Sequence, residues 1–172
     1  MSSVIAIDPG LSKCGVILAD MKEKKVYEAV VVKSHLLLKY VKKKYQSEKN
    51  VKLLIGNGTS SKNYIKYLNQ FEPDLIIAEE KNSTYRAKQR YFEIFPLIGI
   101  KCFLPREIFI LNKNLDALAA LIIMEDYFKT KFDVKITKEV DGKTVIDREA
   151  LIELGKVKTQ DLMSSENVDQ EG

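Results

Sequence analysis

The sequence predicts an α/β fold built on a mixed five-stranded sheet flanked by helices, and three observations carry that reading. Apolar, β-branched runs at residues 4–7, 15–19 and 26–32 are separated only by short polar turns, the pattern of an antiparallel meander. Two later apolar runs, at 51–55 and 75–78, each follow a stretch with helical spacing, the pattern of parallel crossovers. A long apolar helix at 115–130 then supplies a cover for the sheet.

Taken in order, the first run ends abruptly in Asp8-Pro9-Gly10, where fixed and permissive dihedrals let the chain reverse. Asp8 therefore sits at the end of a buried strand. A carboxylate there needs backbone N–H groups or a metal ion as partner, unless it serves only as a turn-former. After the third strand, Leu36, Leu37, Tyr40, Val41 and Tyr45 recur at helical spacing, with Ser34 as the expected N-cap. Lys39, Lys42, Lys43 and Lys44 crowd this helix, either as a solvated face or as a contact for a phosphate backbone.

The fourth strand leads into Gly56-Asn57-Gly58-Thr59-Ser60-Ser61 and a helix whose apolar face is Tyr64, Ile65, Leu68 and Phe71. Thr59 or Ser60 caps that helix, and a glycine-rich loop opening a helix also offers N–H groups to phosphate. The fifth strand ends in Glu79-Glu80-Lys81, a second acidic group at the end of a buried strand. Ser83 or Thr84 caps the next helix, 85–95, whose apolar face is Ala87, Tyr91, Ile94 and Phe95. Arg86 and Arg90 project together from it near Glu93, as a salt-bridged face or a phosphate clamp. Residues 103–111 read as a short strand or a loop. Asn112 or Asn114 then caps the 115–130 helix, where Asp116 shares the inward side with Ala119, Ala120, Ile123 and Tyr127.

Composition narrows the class further. At 172 residues, 45% of them hydrophobic, the chain can bury one good core and is expected to form one domain. No apolar run approaches the roughly 20 residues of a membrane span, and the start of the chain lacks a secretory pattern, so a cytoplasmic protein without a membrane partner is expected. Cys14 and Cys102 form no C-x-x-C pair and read as reduced packing residues. With His35 the single histidine, any metal here should be a hard ion held by oxygen. The net charge of +4 hints only weakly at nucleic acid, although the last twelve residues carry four acids and no base, so the body is more basic than the total.

Asp8, Glu80 (or Glu79) and Asp116 thus come from three separated elements that end toward one edge of the sheet. At an effective dielectric near 20, two carboxylates about 4 Å apart repel by roughly 4 kcal/mol, so such a cluster is tenable mainly with cations. Magnesium or manganese fits, and two such ions suit phosphodiester hydrolysis.

At these residues the sequence resembles the RNase H-like nuclease superfamily and, within it, the RuvC and YqgF (RuvX) group. The matching segments are IAIDPGLSKCG, LLIGNGT, LIIAEEKNSTYRAKQRYF and DALAALII, in the expected order over residues 1 to about 130. The resemblance implies an RNase H-like fold, Asp8, Glu80 and Asp116 as metal-binding catalytic acids, and two Mg²⁺ or Mn²⁺ ions. It implies a nuclease for structured nucleic acid, in ribosomal RNA precursor processing or Holliday junction resolution, a homodimer being what symmetric junction cutting requires. Arg86, Lys88 and Arg90, with Lys81, Thr59 and Ser60, are then the expected phosphate contacts. Lys81 stands where the family's D-E-R motif has arginine, and Gly56-Asn57-Gly58 where glycine-leucine-proline is usual.

The expected organisation is a nuclease domain over 1–130, an extension over 131–158 that allows a hairpin around Asp141-Gly142, and a disordered acidic tail over 159–172. Two other readings stand beside the nuclease. One is a degenerate RNase H-like fold that only binds nucleic acid; the other is a nucleotide-binding protein of the actin and sugar-kinase type, which normally duplicates its unit to clamp the nucleotide.

Overall fold

In a computed structural model of the chain, the residues described are 3–48, 50–70, 72, 74–80, 83–97, 99–103, 105, 115–134, 137–140 and 143–146. Strands β1 (Ser3–Asp8), β2 (Lys13–Asp20) and β3 (Lys25–Lys33) form the antiparallel meander. A 3-10 turn at Ser34–Leu36 leads into helix α1 (Leu37–Ser47), followed by β4 (Val51–Gly56), α2 (Ser61–Leu68), β5 (Ile76–Ala78) and α3 (Ser83–Ile94). A second 3-10 turn, Gly99–Phe103, precedes helix α4 (Asp116–Phe128). Strands β4 and β5 join β1 in parallel, so the sheet order is β3-β2-β1-β4-β5. This α/β architecture, a mixed five-stranded sheet flanked by helices, is consistent with an RNase H-like fold.

Both faces of the sheet are covered, which explains why its strands read as continuous apolar runs rather than alternations. Ile5, Ile7, Val16, Leu53 and Ile55 pack with Leu37, Val41 and Leu68 under α1 and α2. On the opposite face Val4, Ala6, Ile17, Ala19, Leu54 and Ala78 pack with Ala87 of α3 and the body of α4. Residues Ala117–Glu125 of α4 are all buried, as expected of a helix apolar nearly all round, but Tyr127 is 47% exposed rather than turned inward.

Helix starts differ from the sequence reading. The Ser34 hydroxyl does not cap α1; it donates to the Gly10 carbonyl at 3.0 Å, and the Ser34 N–H donates to the Ser12 carbonyl at 3.1 Å. Ser34 thereby ties the end of β3 to the β1–β2 turn. Ser60 likewise precedes α2 without a side-chain capping bond.

Beyond α4, Phe132 and Val134 are buried in the α3/α4 core. Asp133 bonds to the start of β3, its N–H donating to the Lys24 carbonyl at 2.7 Å and its carbonyl accepting the Val26 N–H at 2.9 Å. Strands β6 (Thr137–Val140) and β7 (Lys143–Ile146) form a separate antiparallel pair. Asp141, Gly142, the 104 and 106–114 stretch with its Asn112 and Asn114, Phe71, Lys81 and the 147–172 tail lie outside the described residues. No helix among the described residues is long and apolar enough to cross a membrane.

Candidate metal centre

Strand alternation decides which side chains meet. Val4 and Ala6 face the α3/α4 layer, so Asp8, two residues on, points to that face at the strand's end. Its antiparallel partner across the ladder is Gly15. A Cβ built on Gly15 would meet the Asp116 carbonyl and stand 2.8 Å from the Ala117 nitrogen. The first turn of α4 therefore lies directly on β2, and only a residue without a side chain permits it. That contact sets Asp116 on the Asp8 side of the sheet, in the helical first turn where the dipole favours a carboxylate.

Glu80 arrives from the other side. A Cβ on Gly56 would stand 2.8 Å from the Glu80 Cγ and Cδ, and one on Gly58 would stand 2.9 Å from Cδ. The two glycines form a seat for the Glu80 carboxyl. Asn57 between them holds the loop: its N–H donates to the Ala78 carbonyl at 2.9 Å, and its Oδ1 accepts the Glu80 N–H at 3.3 Å. The glycine-rich loop thus receives a carboxylate of its own chain, a use that local composition did not reveal. Glu79, the other candidate, is exposed and lines a cleft with Arg86, Ile123, Asp126 and Lys129.

The electrostatics of the seat are strained. Asp8 is pushed from its ordinary 3.8 to about 8, first by burial, then by hydrogen bonding and repulsion from Glu80, and last by the charge of Asp116. Two carboxyl groups cannot share a hydrogen bond unless one holds a proton, and Glu80 Oε1 is buried without any donor among the described residues. A pair of interacting carboxyls, one of them with an orphaned buried oxygen, and oxygen donors only, fits a hard divalent cation. The described residues contain no group of three or more acidic, histidine or cysteine side chains close enough to hold an ion together; Asp8 and Glu80 are the apposed pair, and Asp116 is felt from farther out.

The expected phosphate contacts fare differently. Arg86 forms a two-pronged ion pair with Asp126, Nη2 donating to Oδ1 at 2.7 Å and Nη1 to Oδ2. Arg90, with only 12% of its side chain exposed, donates to Glu125 at 2.9 Å, to the Phe132 carbonyl at 2.8 Å and to Glu93 at 3.0 Å. Both guanidinium groups clamp α3 to α4. They are committed within the fold, because the α4 acids that hold them lie some thirty-five to forty residues farther along the chain. Lys88 and Thr59 are exposed and Ser60 is half-buried.

Arg90→Ala should destabilise the protein by about 3 kcal/mol, because it leaves the buried Glu125 carboxylate without its cation and with the Phe132 N–H, at 2.9 Å, as its remaining donor among the described residues. Denaturant unfolding measures it, and Lys88→Ala should stay within about 0.5 kcal/mol of the parent. Comparison of the sequence with models of known protein families finds no match, and comparison with curated proteins finds none either.

Proposed function

We propose that the chain is a divalent-metal-dependent nuclease that hydrolyses phosphodiester bonds in structured nucleic acid. The apposed Asp8 and Glu80 carboxyls, one with an orphaned buried oxygen, carry this reading. Asp8 and Glu80 would hold the ion pair, with Asp116 completing the donor set from α4. When bound, Mg²⁺ or Mn²⁺ supplies an activated water and stabilises charge on the leaving oxygen. The chain's own part is placement. Gly15 lets α4 press Asp116 toward Asp8, and the Gly56-Asn57-Gly58 loop seats Glu80 against it. A precursor ribosomal RNA or a four-way junction is the substrate class the resemblance suggests, in the cytoplasm, with two copies acting together if the junction is cut symmetrically.

Manganese titration followed by thermal melting tests the site apart from the chemistry. An ion that binds only the folded chain raises stability by RT ln(1 + [L]/Kd), about 2.7 kcal/mol at a hundredfold excess over Kd. The parent should respond in this way and should cut at least one of junction DNA, duplex or precursor rRNA when magnesium is present. A chain that melts identically with and without the ion, and cuts none of them, does not carry this activity. Binding of RNA or DNA without cleavage would instead favour the degenerate binding reading.

A further inference from the structure

The end of the sheet that carries Asp8 also carries two lysines without a partner among the described residues. Lys13 opens β2 and Lys33 closes β3, and the ladder sets them directly opposite each other. Alternation fixes their face: Lys13 shares the side of Gly15 and Ile17, and Lys33 shares the side of Ala29 and Val31. That is the face of Asp8 and α4. Both are exposed, and neither makes a hydrogen bond or ion pair among the described residues, whereas Lys44, Arg86, Arg90 and Lys131 all do. Like charges directly across a ladder repel, so the pairing opposes folding unless an anion answers it.

Their place relative to the acids gives the anion a direction. Lys13 lies two residues along β2 from the partner of Asp8, roughly 7 Å away, and Lys33 is one strand farther, roughly 5 Å more. Flexible lysine stems add several ångströms of reach. A chain of phosphates passing the Asp8–Glu80 pair toward β3 would meet both ammonium groups, with the spacing of neighbouring links.

Building on the nuclease reading above, we propose that Lys13 and Lys33 form the substrate track of this site, binding the sugar-phosphate backbone of a nucleic acid strand on the β2–β3 side of the acids. The track replaces the arginine clamp on α3, whose guanidinium groups are already engaged by α4.

The experiment is fluorescence anisotropy of labelled RNA and DNA oligonucleotides, single-stranded and duplex, against the full chain in EDTA over a range of salt. Lys13→Gln with Lys33→Gln should weaken binding at least about tenfold and flatten the log–log salt slope by about 1–2 units. Lys13→Arg with Lys33→Arg should restore both, which a merely misfolded glutamine variant cannot explain. A control in the β2–β3 turn at the opposite end of the sheet, Lys22→Gln with Lys24→Gln, both exposed, should change affinity less than about twofold. The RNA and DNA arms identify which backbone the track accepts.

If the glutamine pair binds as the parent does, or if the Lys22/Lys24 control loses as much, the track is refuted while the nuclease reading stands. If the parent binds neither polymer, both fall. Binding that depends on Lys13 and Lys33 without any metal-dependent cleavage would keep the track and overturn the nuclease.

Discussion

Asp8→Asn is expected to abolish metal-dependent cleavage, by at least about 100-fold in kcat/KM, while salt-sensitive binding of nucleic acid in EDTA survives. The amide keeps the shape of the side chain and removes the charge that a divalent ion requires. The same variant should be more stable than the parent in EDTA at neutral pH. At neutral pH the folded parent keeps on Asp8 a proton that the unfolded chain has released, whereas an amide is neutral in both states and carries no such cost.

The pH dependence supplies the sign. With the Asp8 carboxyl raised from 3.8 to about 8, the folded chain holds a proton that the unfolded chain releases between those values. Stability is therefore fully present below about pH 4 as far as this group is concerned, and falls as pH rises toward 8, by at most ~1.4 kcal/mol per unit. Asp8→Asn should remove that slope, and saturating Mn²⁺ should remove it from the parent by displacing the proton. Melting temperatures from pH 5 to pH 8, with and without ion, read all three curves. A parent slope that persists in Asp8→Asn would place the titrating group elsewhere and sink the account of the acid pair.

How much of this was legible in the sequence follows from the range of each interaction. The strands are readable as local apolar runs: the fourth, expected at 51–55, is Val51–Gly56 and is buried on both faces from Leu53 onward, and the fifth, expected at 75–78, is Ile76–Ala78, an edge strand whose Ile77 is 51% exposed. Asp8 and Glu80 stand out in the sequence because a carboxylate closing an apolar run is anomalous, whereas Asp116, at the start of α4, is marked only by its expected place on the inward side of that helix. Ser34 reads as a cap from its place before the helix, but its hydroxyl donates across the sheet end to the Gly10 carbonyl rather than to its own helix. For Arg86 and Arg90 the sequence leaves a salt-bridged face and a phosphate clamp both open, because only Glu93 lies nearby in the chain, while Glu125 and Asp126 reach them from α4. The Gly56-Asn57-Gly58 loop carried the motif of an anion cradle, and it does receive an anionic group, but a carboxylate of the same chain. Lys13 and Lys33 lie twenty residues apart in the chain, and their juxtaposition exists only in the register of β2 and β3.

Gly15→Ala is the corresponding test of how the site is assembled. The added methyl would run into the Asp116 carbonyl and approach the Ala117 nitrogen to 2.8 Å, and these are backbone atoms that no rotamer change can move aside. Helix α4 must lift from β2 or tilt, although its residues Ala117–Glu125 are buried throughout. Overpacking of this kind destabilises by about 3 kcal/mol, the upper end of the usual range, which for a chain of this size lowers the melting temperature by roughly 6–12 °C. The lift also draws Asp116 away from Asp8, and a displacement near 1 Å at a reacting centre can reduce the rate by about 100-fold. Both losses should appear together, with the Mn²⁺ response weakened but not erased, because the Asp8–Glu80 pair sits on β1 and the glycine seat rather than on α4. A Gly15→Ala chain that keeps the parent's melting temperature and full cleavage would mean that α4 does not bear on β2 at this point, and the placement of Asp116 would have to come from some other contact.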